Sequence, residues 1–190
     1  MKVIYIRDSK SKGYLRIGVG EGEEKKEYTV SESDYRMCGS LLVGDEVSDE
    51  EGLRLSDMRY RAKQSALRIL AYGDNNESSL LRKLISKSID ANVAKEVVRE
   101  MVSRGYINER RQLERLVQIE ANTSLSGKRK IVCKLVAKGY KKGEICEVIS
   151  DLISHGIVDF EKSKQKLLEK RLPEGASPEQ VRVLLYRYGY

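Results

Sequence analysis

The sequence predicts a mainly α-helical protein of tandem three-helix repeats, forming an elongated curved array, with a small N-terminal β-hairpin module. Three observations carry that prediction. Residues 83–108 reappear without a gap as residues 134–159, so that Leu84/Leu135, Ile85/Val136, Val97/Val148, Val98/Ile149, Met101/Leu152, Val102/Ile153 and Ile107/Val158 stay apolar and Gly105/Gly156 stays glycine. Side chains that must be buried are expected to match, and a unit that hides its apolar face only against its neighbours builds an array. With 34% charged residues, one Phe and no Trp, the chain has little material for one large core, although 40% hydrophobic content is ordinary for a folded protein. Finally, period-two alternation is confined to residues 1–30, and helical spacing follows.

Residues 1–56 comprise the hairpin module and the start of a linking helix. In it Val3/Tyr5 and Leu15/Ile17/Val19 alternate, and Gly18, Gly20 and Gly22 with the charged stretch 21–26 mark a turn. So small a sheet must lean on a helix, a contact expected from Leu41, Leu42 and Val43. Ser48-Asp49-Glu50-Glu51 reads as a capping box with Ser48 as N-cap.

Residues 57–107 form the first repeat. Its long helix runs through Met58 to Ala71 and stops at Gly73-Asp74-Asn75. Asn76 caps a second helix, Asp90 caps a third, and Gly105 closes the unit. Residues 108–158 repeat the cycle from Asn108, with helices over 128–138 and 143–154. Residues 159–190 open a third unit at Asp159, restart at Ser177-Pro178-Glu179-Gln180 and end without a last helix, which predicts a mobile tail.

Function classes are narrowed by what the residues lack. No run approaches the roughly 20 apolar residues that span a bilayer, and the stretch before Arg7 is too short for a signal-peptide core, so a soluble, cytoplasmic protein without membrane contact is expected. Cys38, Cys133 and Cys146 lack metal-type spacing and are expected as small buried side chains. His155, the one histidine, precedes Gly156 and suits a helix-end role better than catalysis. Glu96 and Glu100 read as a solvated face. Phosphate-loop, nucleophile-elbow, zinc-protease and triad patterns are missing, so no catalytic residue, cofactor site or metal site is assigned and the chain is read as a non-enzyme.

Charge is uneven. Residues 1–56 carry 9 Lys+Arg against 12 Asp+Glu, and residues 57–190 carry 27 against 17. A basic array attracts a polyanion. The candidate partner-binding residues are Arg104, Arg110, Arg111 and Arg115 at the junction of the first two repeats, with Lys128, Arg129, Lys130, Lys134, Lys138, Lys141 and Lys142 in the second. Lys130, Lys134 and Lys138 fall on one helical face, and few acids accompany them. Tyr186, Tyr188 and Tyr190 suit either base stacking or closure of the last helix.

These residues resemble the RecX regulatory proteins of bacteria over nearly the whole chain. The resemblance runs through Gly44-Asp45-Glu46, Ala66-Leu67-Arg68-Ile69-Leu70, Asn76 with Leu80 and Lys83-Leu84, and Gly105-Tyr106-Ile107-Asn108. It continues in Gly127-Lys128-Arg129-Lys130-Ile131 and Lys134-Leu135-Val136-Ala137-Lys138-Gly139-Tyr140. Ser79 stands where the family usually has an acidic residue, Lys128 replaces a common proline, and the third unit is short. The resemblance implies a non-enzymatic regulator that binds the RecA recombinase and its filament on single-stranded DNA, mainly inhibiting recombinase, ATPase and coprotease activities. A direct DNA-binding protein with helix-turn-helix-like units is the alternative reading.

Overall fold

Period-two alternation becomes three antiparallel strands, β1 (Lys2–Asp8), β2 (Tyr14–Glu21) and β3 (Glu24–Ser31), paired in the order β1-β2-β3. The structure is a computed structural model that describes residues 1–21 and 24–190, so the turn expected around Gly22 lies outside the described residues. Gly18 and Gly20 are not turn residues but lie within β2. A Cβ at Gly18 would come within 2.3 Å of the Tyr5 ring on the neighbouring strand, and one at Gly20 within 2.7 Å of the Ile4 side chain. Glycine here makes room for side chains folded across the sheet.

Residues 1–73 with 80–103 make one compact unit, and residues 74–79 with 104–190 a second. In the first, β3 is covered by α2 (Glu50–Ala71), after the short α1 (Glu32–Met37). Val3, Ile17, Val19, Tyr28, Val30, Leu41 and Leu53 form the core. The β3 backbone is tied to α2 by side chains: the Thr29 N–H donates to Asp57 Oδ1 at 3.0 Å and the Ser31 N–H to Ser56 Oγ at 3.3 Å. Asp57 and Ser56 are buried yet hydrogen-bonded, which removes the penalty of burying them unpaired.

Two expectations change here. The N-cap of α2 is Asp49, not Ser48, and accepts from the Gly52 N–H at 2.8 Å, while Glu51 turns to Arg54 instead of reaching back. A carboxylate in that position adds attraction to the helix dipole that a hydroxyl lacks. Of the cluster expected to seal the sheet, only Leu41 is buried; Leu42 and Val43 are 68% and 64% exposed. The loop backbone pairs with β1, Gly44 N–H to Val3 O and Val3 N–H to Asp45 O, both at 2.9 Å, and this fixes the loop without using those side chains.

The helix α4 (Ala91–Ser103) packs on α2. Glu96 and Glu100 are not merely solvated: they pair with Arg59 at 3.0 Å and Lys63 at 2.6 Å on α2. Between these helices in the chain lies α3 (Glu77–Ile85), where Asn76 Oδ1 accepts from the Ser79 N–H at 2.7 Å. Asp90 Oδ1 accepts from the Asn92 and Val93 N–H groups at 2.9 and 3.2 Å, as its capping role requires.

The second unit holds α5 (Glu109–Gln118), continued by a π-helical turn (Ile119–Thr123), then α6 (Lys128–Ala137), α7 (Lys142–Ser154), α8 (Phe160–Arg171) and α9 (Pro178–Tyr188). Leu113, Val117, Ala121, Ile131, Leu135, Tyr140, Ile145, Val148, Ile149, Leu152 and Val158 form its core. Burying each large aliphatic side chain contributes about 1.5–3 kcal/mol. His155 closes α7, its Nδ1 lying 2.7 Å from the Asp151 carbonyl, which matches the helix-end role read from the sequence.

Repeat-equivalent positions separate into two groups. Leu84/Leu135, Val97/Val148, Val98/Ile149, Met101/Leu152 and Ile107/Val158 are buried in both copies. Ile85 and Val136, also kept apolar, are each 45% exposed, and Ile153 is equally exposed, so apolar type at these positions does not report burial. Gly105 and Gly156 share a left-handed backbone, with φ of 75° and 67°, that favours glycine. Asn108 and Asp159 cap α5 and α8 identically, each accepting from the N–H three residues on at 3.0 Å. Asp57, their counterpart in the first repeat, instead lies inside α2 and serves β3.

Candidate partner-binding surface

All eleven cationic candidates belong to the second compact unit. Arg104 sits in the turn after α4; Arg110, Arg111 and Arg115 lie on α5; Lys128, Arg129, Lys130 and Lys134 lie on α6; Lys138 and Lys141 cap α6 and α7, and Lys142 opens α7.

Many are already neutralised within the unit. Arg110 contacts Asp151 and lies 3.4 Å from Glu114, Arg115 pairs with Asp74, Lys134 with Glu120 at 2.7 Å, and Lys141 with Glu144 at 2.9 Å. The Asp151 carboxylate raises the Arg110 pKa above its ordinary value, and Glu144 does the same for Lys141. The expectation that Lys130, Lys134 and Lys138 present an acid-poor face therefore fails at Lys134, because the π-helical turn brings Glu120 to it. Arg111, Lys128, Lys138 and Lys142 are exposed and make no ion pair among the described residues. Of the eleven candidates, these four are left exposed with neither an ion pair nor a ring contact among the described residues.

The start of α6 is unusual. Its first turn reads Lys128-Arg129-Lys130 with no acid, and its N-cap, Gly127, has no side chain to accept from the helix. Cations at this end oppose the helix dipole, and its first amides need acceptors. Both needs are met by the end of α9: the Gly127 N–H donates to the Tyr188 carbonyl at 2.7 Å and the Arg129 N–H to the Gly189 carbonyl at 3.3 Å. The Arg129 guanidinium lies 4.8 Å from the Tyr186 ring centroid and the Lys130 ammonium 4.2 Å from that of Tyr188. The tyrosines thus sit beneath cations, while the Tyr190 hydroxyl donates to the Leu125 carbonyl at 3.3 Å. Sequence reasoning missed this docking; the one signal for it is a helix that starts at glycine without a capping side chain.

A buried polar network shapes the other edge of the unit. Tyr140 donates to Gln112 Oε1 at 2.8 Å, Gln112 Nε2 donates to the Asn75 carbonyl at 3.2 Å, and Asn76 Nδ2 donates to the Lys138 carbonyl at 3.0 Å. These bonds hold residues 74–79 against α5 and the turn before α7. Burial raises the Tyr140 pKa and is also the main reason the Glu109 carboxyl lies above its usual range.

The cysteines differ from expectation: Cys133 is exposed, Cys38 and Cys146 are half-buried, and all three are free thiols. Cys133 lies on the outward side of α6 because Ile131 and Leu135 occupy its inward face. Among the described residues no cluster of His, Cys, Asp and Glu could hold a metal ion, and no helix is long and apolar enough to cross a membrane.

Fold and surface together define a mainly helical protein with a small three-stranded antiparallel N-terminal sheet. No family model matches the chain. A regulatory protein RecX of Clostridioides difficile (strain 630) is 31% identical over 115 residues, covering 60% of this chain and 54% of that protein. A regulatory protein RecX of Listeria monocytogenes serotype 4b (strain F2365) is 26% identical over 133 residues, covering 68% and 48%. The chain thus spans about half the length of the curated relatives it matches. A crystal structure of regulatory protein RecX shares the fold at 19% identity, with a TM-score of 0.76 over 100% of this chain and 94% of that one. Both sequence relatives are thus RecX regulatory proteins matched over about half their length, and the crystal structure shares the fold.

Proposed function

We propose that this protein regulates the RecA recombinase by binding RecA and its filament on single-stranded DNA, mainly restraining recombinase, ATPase and coprotease activities. The observation that carries the reading is the set of exposed, unpaired cations Arg111, Lys128, Lys138 and Lys142 on one compact unit of a chain whose relatives are RecX proteins. A helical surface with uncommitted charge suits a negatively charged nucleoprotein.

The test is DNA-dependent ATP hydrolysis by RecA as the chain is titrated in, beside binding of the chain to the same DNA alone at matched salt. Inhibition of hydrolysis with weak binding to bare DNA is expected. Equal affinity for bare DNA and for filaments would favour a direct DNA-binding protein, and unchanged hydrolysis at saturating protein would overturn the reading.

A further inference from the structure

The second unit holds a cleft of about 660 Å³ whose lining combines two chemistries. Val132, Cys133, Cys146 and Phe160 supply apolar and thiol surface, while Lys128, Arg129 and Lys142 supply positive charge; Gly189 and Tyr190 complete the wall. Among the described residues no acidic side chain lines it. Lys128 and Lys142 make no ion pair among the described residues, and Arg129 is engaged only through the Tyr186 ring. All three cations occupy first turns of helices, Lys128 and Arg129 in α6 and Lys142 in α7, where the helix dipole disfavours positive charge. Arg129 is compensated by the Tyr186 ring, but no ion pair or ring contact among the described residues offsets that cost for Lys128 or Lys142, and residues that break a local rule without gain to the fold do so mainly at functional positions.

We propose that this cleft docks an acidic peptide segment of a protein partner, with one large apolar side chain held between flanking carboxylates. The apolar wall takes the side chain, and the three cations complement the carboxylates as rim charges. A nucleic-acid base fits less well, because Val132 and Phe160 offer no partners for its polar edge, the thiols only weak ones, and the Tyr190 hydroxyl is committed to Leu125. The inference goes beyond the recombinase reading and does not depend on the identity of that partner.

Cys133 provides a position-specific reporter, since it is exposed and lines the cleft, whereas Cys38 lies in the other unit. The probe is a short fluorescent peptide with phenylalanine at its centre and aspartates and glutamates on both sides. Added to the full chain, it should slow alkylation of Cys133 severalfold and leave Cys38 unchanged. The double variant Lys128→Glu/Lys142→Glu, altered only at exposed positions, should bind it about tenfold more weakly while unfolding normally. Exchanging the peptide's phenylalanine for serine should abolish the protection. A bound peptide that leaves Cys133 alkylation unchanged, or equal binding of the serine peptide, would overturn the proposal in favour of diffuse charge attraction. Stronger protection by oligothymidylate than by the peptide would overturn it in favour of nucleic acid. None of these outcomes depends on RecA, so failure here and failure of the ATPase test are separately visible.

Discussion

The backbone N–H of Gly127 donates to the carbonyl of Tyr188 at 2.7 Å, so the last helix of the chain caps the first turn of α6. Gly127 has an extended backbone, with φ of −72°, and needs glycine for space alone: a Cβ there would lie 2.4 Å from the Gly189 carbonyl oxygen. That contact is with backbone and cannot be relieved by a rotamer. Gly127→Ala should cost about 1–3 kcal/mol, the usual range for overpacking, in urea unfolding. An unchanged midpoint would mean that the tail separates from α6 without loss.

The same capping predicts a pattern of amide exchange. No residue of α9 is buried, so amides over 181–187 should exchange faster than those over 97–102, where Val97, Val98 and Met101 are core. Deleting residues 186–190 removes the acceptors of the Gly127 and Arg129 N–H groups, whose exchange should then accelerate while Ile149 stays protected. Unaltered exchange at Gly127 in the truncated chain would show that this bond contributes nothing in solution.

Tyr140→Phe tests the buried polar network. The hydroxyl is the donor to Gln112 Oε1 at 2.8 Å, and both residues are buried. Its removal strands an acceptor, which costs about 1–3 kcal/mol. Chemical denaturation measures the loss; a stability equal to wild type would place a water or a rotated amide at the vacated position.

Acid sensitivity should be visible at Glu27, whose carboxyl is held below its ordinary range first by the Tyr5 hydroxyl and then by Arg16. A folded-state pKa below the unfolded one means that the unfolded chain binds more protons as pH falls through the carboxylate range. The stabilisation is therefore present above the unfolded pKa and is lost as pH drops through the folded value. Melting temperature against pH should fall less steeply on the acid side for Glu27→Gln than for wild type, and parallel curves would remove Glu27 from the acid response.

Paired and unpaired cations should differ in partner binding. Replacing Arg111, Lys138 and Lys142 by Gln should weaken binding to RecA filaments at low salt, with the difference shrinking as salt rises. Replacing Arg110, Arg115 and Lys134, which already face Asp151, Asp74 and Glu120, should do less. Equal losses from both sets would show that pairing within the unit does not withdraw a cation from the surface.

Residue type and near neighbours sufficed for the caps at Asn76, Asp90, Asn108, Asp159 and Ser177 and for the left-handed glycines at Gly105 and Gly156. These depend on a residue and its neighbours within one turn, so local chemistry suffices to specify them. Tertiary structure alone decided which members of a repeated pattern are equivalent in use. Asp57 stands where Asn108 and Asp159 cap helices, yet a longer α2 carries it past the helix start to the backbone of β3. Likewise the row of lysines and arginines was legible as charge, but whether each is free depends on acids far along the chain: Glu120 for Lys134, Asp151 for Arg110 and Asp74 for Arg115. The Tyr188 and Gly189 carbonyls that cap α6 are as distant in sequence and are backbone atoms that every residue carries, so nothing in residue type could announce them.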